Sequence, residues 1–244
     1  GNTTVDFTVG ETATTIISNG TTTLSQGFQQ ATIKLEIFMA PKVFLQGAAL
    51  NPNTGEESLM RDDLRANGVL LGVSPYEDAA IMFDSLLVEE TEGEDAIVDW
   101  VFVELRDKLD NSIVIEGQSA LLQRDGDVVG TDAVSLLEFT SSPDDYFIAV
   151  KHRNHLGVIL EQVKRLSPVA TTLDFSKANS PITLGTNAQT DLGLPTGVLG
   201  MWAGDANADG VVRFSGANAE PTDIRDGVLN NPGNIFNSRP CYIG

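Results

Sequence analysis

Along most of the chain, apolar and polar residues alternate in short runs, and glycine, asparagine, proline or aspartate interrupts each run before a helical period can build. Asp99–Leu105 shows the alternation best. Trp100, Phe102 and Glu104 fall on one side, and Val101, Val103 and Leu105 on the other. A strand turns successive side chains to opposite faces, so Val101, Val103 and Leu105 are the expected core residues. The same reading predicts strands at Ile33–Met39, Lys42–Ala48, Asp99–Arg106, Ile113–Arg124, Ser135–Thr140, Tyr146–His152, Gly157–Arg165 and Thr171–Phe175. Turn formers separate them at Asn51–Gly55, Asp107–Asn111, Asp125–Asp127 and Ser142–Asp145. Strands of this length and spacing predict an all-β fold, an antiparallel β-sandwich of immunoglobulin-like or prealbumin-like type.

Three segments are expected. Residues 1–32 are rich in threonine, with Thr3, Val5, Phe7 and Val9 on one side of an alternating pattern and Ser18-Asn19-Gly20 as a turn before Thr21–Phe28. That reads as a β-hairpin, or as strands free to pair with a second copy of the chain, because Asp6 and Glu11 are the only charges near their edges. Residues 33–175 hold the sandwich, and 176–244 form a loop-rich, calcium-binding segment anchored by spaced apolar residues such as Leu199, Met201 and Trp202. Glu57–Glu94 departs from the strand pattern. Leu59–Arg65 reads as one helical turn, and the acidic run Glu89–Glu94 as a solvated loop.

Composition narrows the partners. Fifteen basic residues against 34 acidic ones give a net charge of −19. Such a field repels phosphate backbones and anionic membranes, which excludes nucleic acid as a partner. The longest apolar runs, Gly68–Val73 and Ile97–Val103, are far too short to span a bilayer, which excludes membrane insertion. The opening Gly1-Asn2-Thr3, without methionine, is what a processed secreted protein would show. The lone Cys241 has no internal partner and reads as inert. Asn2-Thr3-Thr4 and Asn19-Gly20-Thr21 fit N-glycosylation sequons, and Asp84-Ser85-Leu86 an O-glycosylation site.

Local spacing of acids points to a cation. Asp205-Ala206-Asn207-Ala208-Asp209-Gly210-Val211 sets oxygen side chains at alternate positions, then a glycine for the bend, then a backbone carbonyl at Val211. The side chain of Val211 is expected to enter the core. An EF-hand would close the shell with a glutamate at its twelfth position, which is Gly216 here. Closure is expected instead from Asn218, Glu220 or Asp223, the last just before the helix-spaced Ile224, Val228 and Leu229. The expected ion is Ca2+; Mg2+ prefers water-rich octahedral sites. A second acidic group, Asp125, Asp127 and Asp132, reads as a plain hairpin turn.

Catalytic motifs are missing. There is no Gly-x-Ser-x-Gly elbow, no P-loop and no His-Glu-x-x-His zinc motif. The two histidines, His152 and His155, read as structural groups at a strand end, bonded to backbone or carboxylate. Two tryptophans and three tyrosines make a poor sugar platform for a glycosidase. A non-enzymatic protein is expected.

Several stretches together resemble a repeated module of large extracellular Bacteroidota proteins exported by the type IX secretion pathway. They are Leu59–Arg65, Ala120–Val129, Ala149–Val158 and Met201–Asn207, with Thr8–Glu11 and Leu24–Gln30 similar to the mature N-terminus of such cargo. The resemblance implies an extracellular or cell-surface location, a dockerin-like calcium loop and a structural or adhesive role. A homo-polymer joined through the N-terminal strands is the expected assembly. A carbohydrate-binding accessory module, recognising a surface glycan, is the alternative.

Overall fold

The computed structural model describes residues 16–18, 23–25, 36–78, 81–207 and 209–230. Chain contacts divide it into two compact units, Gly1–Lys34 and Leu35–Gly244. In the first, β1 (Ile16–Ser18) pairs antiparallel with β2 (Thr23–Ser25), with Ile17 opposite Leu24. The alternating stretch Thr3–Val9, both sequons and Cys241 lie outside the described residues.

The second unit is built mostly of strands. They are β3 (Ile37–Lys42), β4 (Ile97–Arg106), β5 (Val114–Gln123), β6 (Val128–Val129), β7 (Leu137–Phe139), β8 (Asp145–His152), β9 (His155–Ile159), β10 (Lys164–Arg165) and β11 (Thr171–Asp174). The larger sheet runs β10-β8-β4-β5-β6, with β9 also on β8, and all its pairings are antiparallel. The smaller sheet runs β11-β3-β7. Its β11–β3 pairing is parallel, the one departure among these two sheets from the expected antiparallel order. Two further short strands, β12 (Thr190–Asp191) and β13 (Leu199–Gly200), pair with each other. No helix among the described residues is long and apolar enough to cross a membrane.

β4 is the centre of the larger sheet because its β-branched and aromatic run can be buried on both faces. Val101, Val103 and Leu105 are fully buried and share one apolar cluster with Ile148 and Val150 of β8, Leu122 of β5, and Ile37, Met39, Phe139 and Leu173 of the smaller sheet. Side chains from both sheets thus form the main core.

The opposite face of β4 is also closed. Trp100 is fully buried among Ile97, Leu121, Val88, Val129 and Ala133, with Leu70, Tyr76 and Phe83 packed against them. Its ring stacks on Phe83 at 5.8 Å, and its Nε1 donates to the Leu71 carbonyl at 2.7 Å. The cover comes from the stretch that departs from the strand pattern, which carries α2 (Asp63–Ala66) and α3 (Ser85–Glu90). The Asp84 carboxylate caps α3 by accepting from the amides of Leu86 and Leu87. Glu104, on this face, is buried but charge-paired with Arg106 and Lys151.

Two expected strands differ. Within Lys42–Ala48 the chain turns into the helical α1 (Gln46–Ala49), closed by Ala49 and Leu50 amides donating to the carbonyls of Leu45 and Gln46. Gly47 suits that turn, since a Cβ there would lie 3.2 Å from the His155 ring. Gly157–Arg165 is split into β9 and β10, because Leu160 and Glu161 pair with Thr183 and Ile182 instead. The Asp125–Asp127 turn requires its glycine. Gly126 sits at φ +97°, and a Cβ would meet Phe44 at 2.5 Å and the Val43 carbonyl at 2.8 Å.

The segment after 175 packs into this same unit. Met201 is fully buried in the main cluster. Its amide donates to the Phe44 carbonyl at 2.7 Å, and its carbonyl accepts from Gln46 at 3.1 Å.

Candidate metal centre

The approach to Asp205 is held from both sides. Towards α1, Met201 is bonded as described, and the Ala203 amide donates to Gln46 Oε1 at 3.0 Å. Towards the β8–β9 hairpin, Leu156 donates to the Trp202 carbonyl at 2.9 Å and Gly204 donates to the Asn154 carbonyl at 3.0 Å. The chain then bends at Gly204 (φ +118°), and the loop of alternating oxygens begins. Within that loop Asn207 Oδ1 accepts from the Asp209 amide, Asp209 Oδ1 from the Val211 amide and Asp205 Oδ2 from the Gly210 amide. These bonds curl the backbone around one side of Asp205. The other wall is α4 (Glu220–Asn230), whose first residue turns back to accept from the Arg213 amide through Oε2.

One oxygen each from Asp205, Asp209 and Glu220 lie within 4.8 Å of one another, a group that can hold a metal ion. Asp205 and Glu220 are 3% and 4% exposed. Asp205 Oδ1 and Glu220 Oε1 are buried without a hydrogen-bond partner among the described residues. A buried acceptor left unpaired costs about 1–3 kcal/mol, and more when it is charged. Burial raises the pKa of Asp205, and the negative charges of Asp209 and Glu220 push the same way, while amide bonds from Gly210 and Asp209 oppose them. Asp209 is exposed and is held below its usual range, first by Arg213, whose guanidinium lies 2.6 Å away. Without a cation, like charges converge on a partly dry spot; a hard divalent ion would satisfy the orphaned oxygens and cancel that repulsion.

Two of the other expected ligands are joined through a third. Asn207 Nδ2 donates to Asp223 Oδ2 at 2.6 Å and to the Asn218 carbonyl at 3.2 Å, tying the loop to α4, while the Asn218 side chain hydrogen-bonds Asp209 of the acidic group. Val211 is 42% exposed, which corrects the expectation that its side chain enters the core. The loop already places Met201 and Asp205 inside, and the strand direction is lost before Val211 is reached. The helix expected near Asp223 forms as α4, with Ile224 55% exposed. The other acidic group is closed by a cation: Lys42 Nζ lies 2.8 Å from Asp127 and 3.3 Å from Asp125.

Beside the centre lies a buried chain of polar groups. His152 Nε2 is 3.1 Å from Asp99 Oδ2, His155 Nδ1 is 3.0 Å from His152 Nδ1, and the Gly47 amide donates to His155 Nε2 at 3.1 Å. Only one arrangement of protons serves every contact with both rings neutral. Gly47 requires a bare Nε2 on His155, so its proton sits on Nδ1 and points at His152 Nδ1 and Asn154 Oδ1. His152 then carries its proton on Nε2 and donates to Asp99. A metal on the paired Nδ1 atoms would need the His155 proton on Nε2, against the Gly47 N–H. Burial foremost, then the proximity of His152 and Arg153, pushes the His155 pKa down to about 3. Asp99, also bound by Arg153 at 2.8 Å, has no signal in the sequence that would join it to residues more than fifty positions away.

No family model, curated protein or solved structure matches the chain. The resemblance to exported Bacteroidota modules therefore rests on the stretches quoted above.

Proposed function

We propose that the protein is a calcium-stabilised, non-catalytic structural or adhesive protein of the cell exterior. The two buried carboxylate oxygens without partners, on Asp205 and Glu220 and facing Asp209, are the observation that carries the calcium reading. Oxygen-only donors, a loop of alternating Asx residues and a bend at Gly210 suit a hard ion of flexible coordination. In this reading Ca2+ ties α4 to the loop and, through Met201 and Ala203, to the core beside α1. The ion braces an antiparallel sandwich, and the charge-poor N-terminal strands provide the joining element of a homo-polymer.

Calorimetric titration with Ca2+ and melting with and without chelator test the centre. Asp205→Asn combined with Glu220→Gln abolishes both the binding heat and the calcium-dependent rise in melting temperature. Identical melting of the wild type in calcium and in chelator, with no binding heat, refutes the site. Electron microscopy across calcium concentrations tests assembly, and dispersed monomers throughout refute the polymer. The alternative of a glycan-binding module calls for an exposed aromatic row. Among the described residues Trp100 and Tyr146 are buried and Tyr76 and Trp202 half-buried, while Phe214 is 89% exposed, so the exposed aromatic surface there is a single ring.

A further inference from the structure

The cover over Trp100 is turned inside and out. Its inward side chains, Phe83, Tyr76 and Val88, fill the second core. Its outward ones are apolar as well: Val69 is 60% exposed, Met82 66% and Leu86 68%, with Leu71, Val73 and Leu87 between 41 and 46%. All lie on the stretch that covers Trp100. Val73 pairs antiparallel with Met82, the Ser74 amide donates to the Ile81 carbonyl at 2.9 Å, and Leu71 is fixed by the Trp100 indole. Val88 anchors α3 with Leu86 and Leu87 facing out. Water-exposed aliphatic groups gathered in this way mark interaction surfaces more often than singly scattered ones do.

The border of this patch is acidic and unpaired. Glu89, Glu90, Glu92, Glu94 and Asp95 are exposed and form no ion pair among the described residues. Two guanidinium groups reach the same border only to donate to the carbonyls of Glu89 and Gly93. Their charges are matched elsewhere, Arg65 by Asp62 and Arg124 by Glu56. Other surface acids do have cationic partners, as in Asp144 with Lys108 and Asp127 with Lys42.

We propose that this face docks a protein partner presenting aliphatic or aromatic side chains bordered by lysine or arginine. Charge complementarity chooses that occupant. A two-fold contact with a second copy would set the acidic borders against each other in a chain already at −19. A basic border instead meets five free carboxylates, which steer encounter and hold register while the apolar centre is desolvated. The surface does not involve the cation centre, and the inference stands independently of calcium binding.

A fluorescent amphipathic Leu/Lys peptide is the probe, compared by anisotropy with a Leu/Glu peptide and with a Ser/Lys peptide of equal charge. The Leu/Lys peptide alone is expected to bind. Met82→Ser with Leu86→Ser weakens it about tenfold or more, while the melting temperature is unchanged because both side chains face water. Glu89→Gln with Glu92→Gln flattens its salt dependence, and Glu36→Gln with Glu161→Gln, the same charge change elsewhere, does not. Absence of Leu/Lys binding, equal binding of either control peptide, or wild-type affinity in the Met82/Leu86 variant overturns the proposal. So does a sedimenting dimer of the wild type that the same variant disperses, since the occupant would then be a second copy.

Discussion

Replacing His155 with glutamine removes a buried base that the fold keeps neutral, and the effect is read as a change in pH dependence. Its pKa falls from 6.5 to about 3 in the folded protein. As the pH drops below 6.5, the unfolded chain takes up this proton and the folded chain does not. The unfolded state is therefore favoured, and stability is lost progressively from pH 6.5 down to about 3. Each pH unit in that window removes about 1.4 kcal/mol. At about pH 4.5, two units below the ordinary value, the loss is about 2.7 kcal/mol. Glutamine has no proton to gain, so the variant lacks this slope whatever its stability at neutral pH. Carboxylates such as Glu116 and Asp132, whose pKa values are lowered, titrate alike in both proteins and cancel in the comparison. Urea unfolding at about pH 7 and about pH 4.5, at fixed free calcium, measures the two losses. The wild type should lose about 2.7 kcal/mol more than the variant. Equal losses would show that His155 is not held neutral and would refute the proton arrangement from Gly47 to Asp99.

Further outcomes follow from backbone geometry, packing and the cation. Gly126→Ala places a methyl group against the Val43 carbonyl and Phe44 at a positive φ, and should cost about 1–3 kcal/mol in urea unfolding. Trp100→Ala empties the second core and should cost about 3–5 kcal/mol; Trp202 remains as the fluorescent reporter. With calcium at a hundred times its dissociation constant, the wild type should gain about 2.7 kcal/mol over the chelated state. Asp223→Ala should keep that gain in reduced form, because Asp223 bonds to Asn207 and lies outside the acidic group.

Local pattern alone determined a good part of this protein. The two-residue period of Val101, Val103 and Leu105 named three fully buried core residues, because strand geometry turns alternate side chains to one face whatever lies opposite. The spacing Asp205-x-Asn207-x-Asp209-Gly210 located the acidic loop, because oxygen placement there is a property of adjacent residues. Tertiary structure decided what depends on residues far apart in sequence. Trp100 is buried only because residues 69–90 fold back over β4, and no period within β4 announces a cover. Gln46–Ala49 turns helical where its pattern reads as strand, because Gly47 must offer its amide to His155. Asn218, Glu220 and Asp223 were equivalent as distal acids or amides in the sequence. The position of α4 sends Glu220 inward to Asp205 and leaves Asp223 to Asn207, a choice made by the docking of helix and loop and not by spacing along the chain.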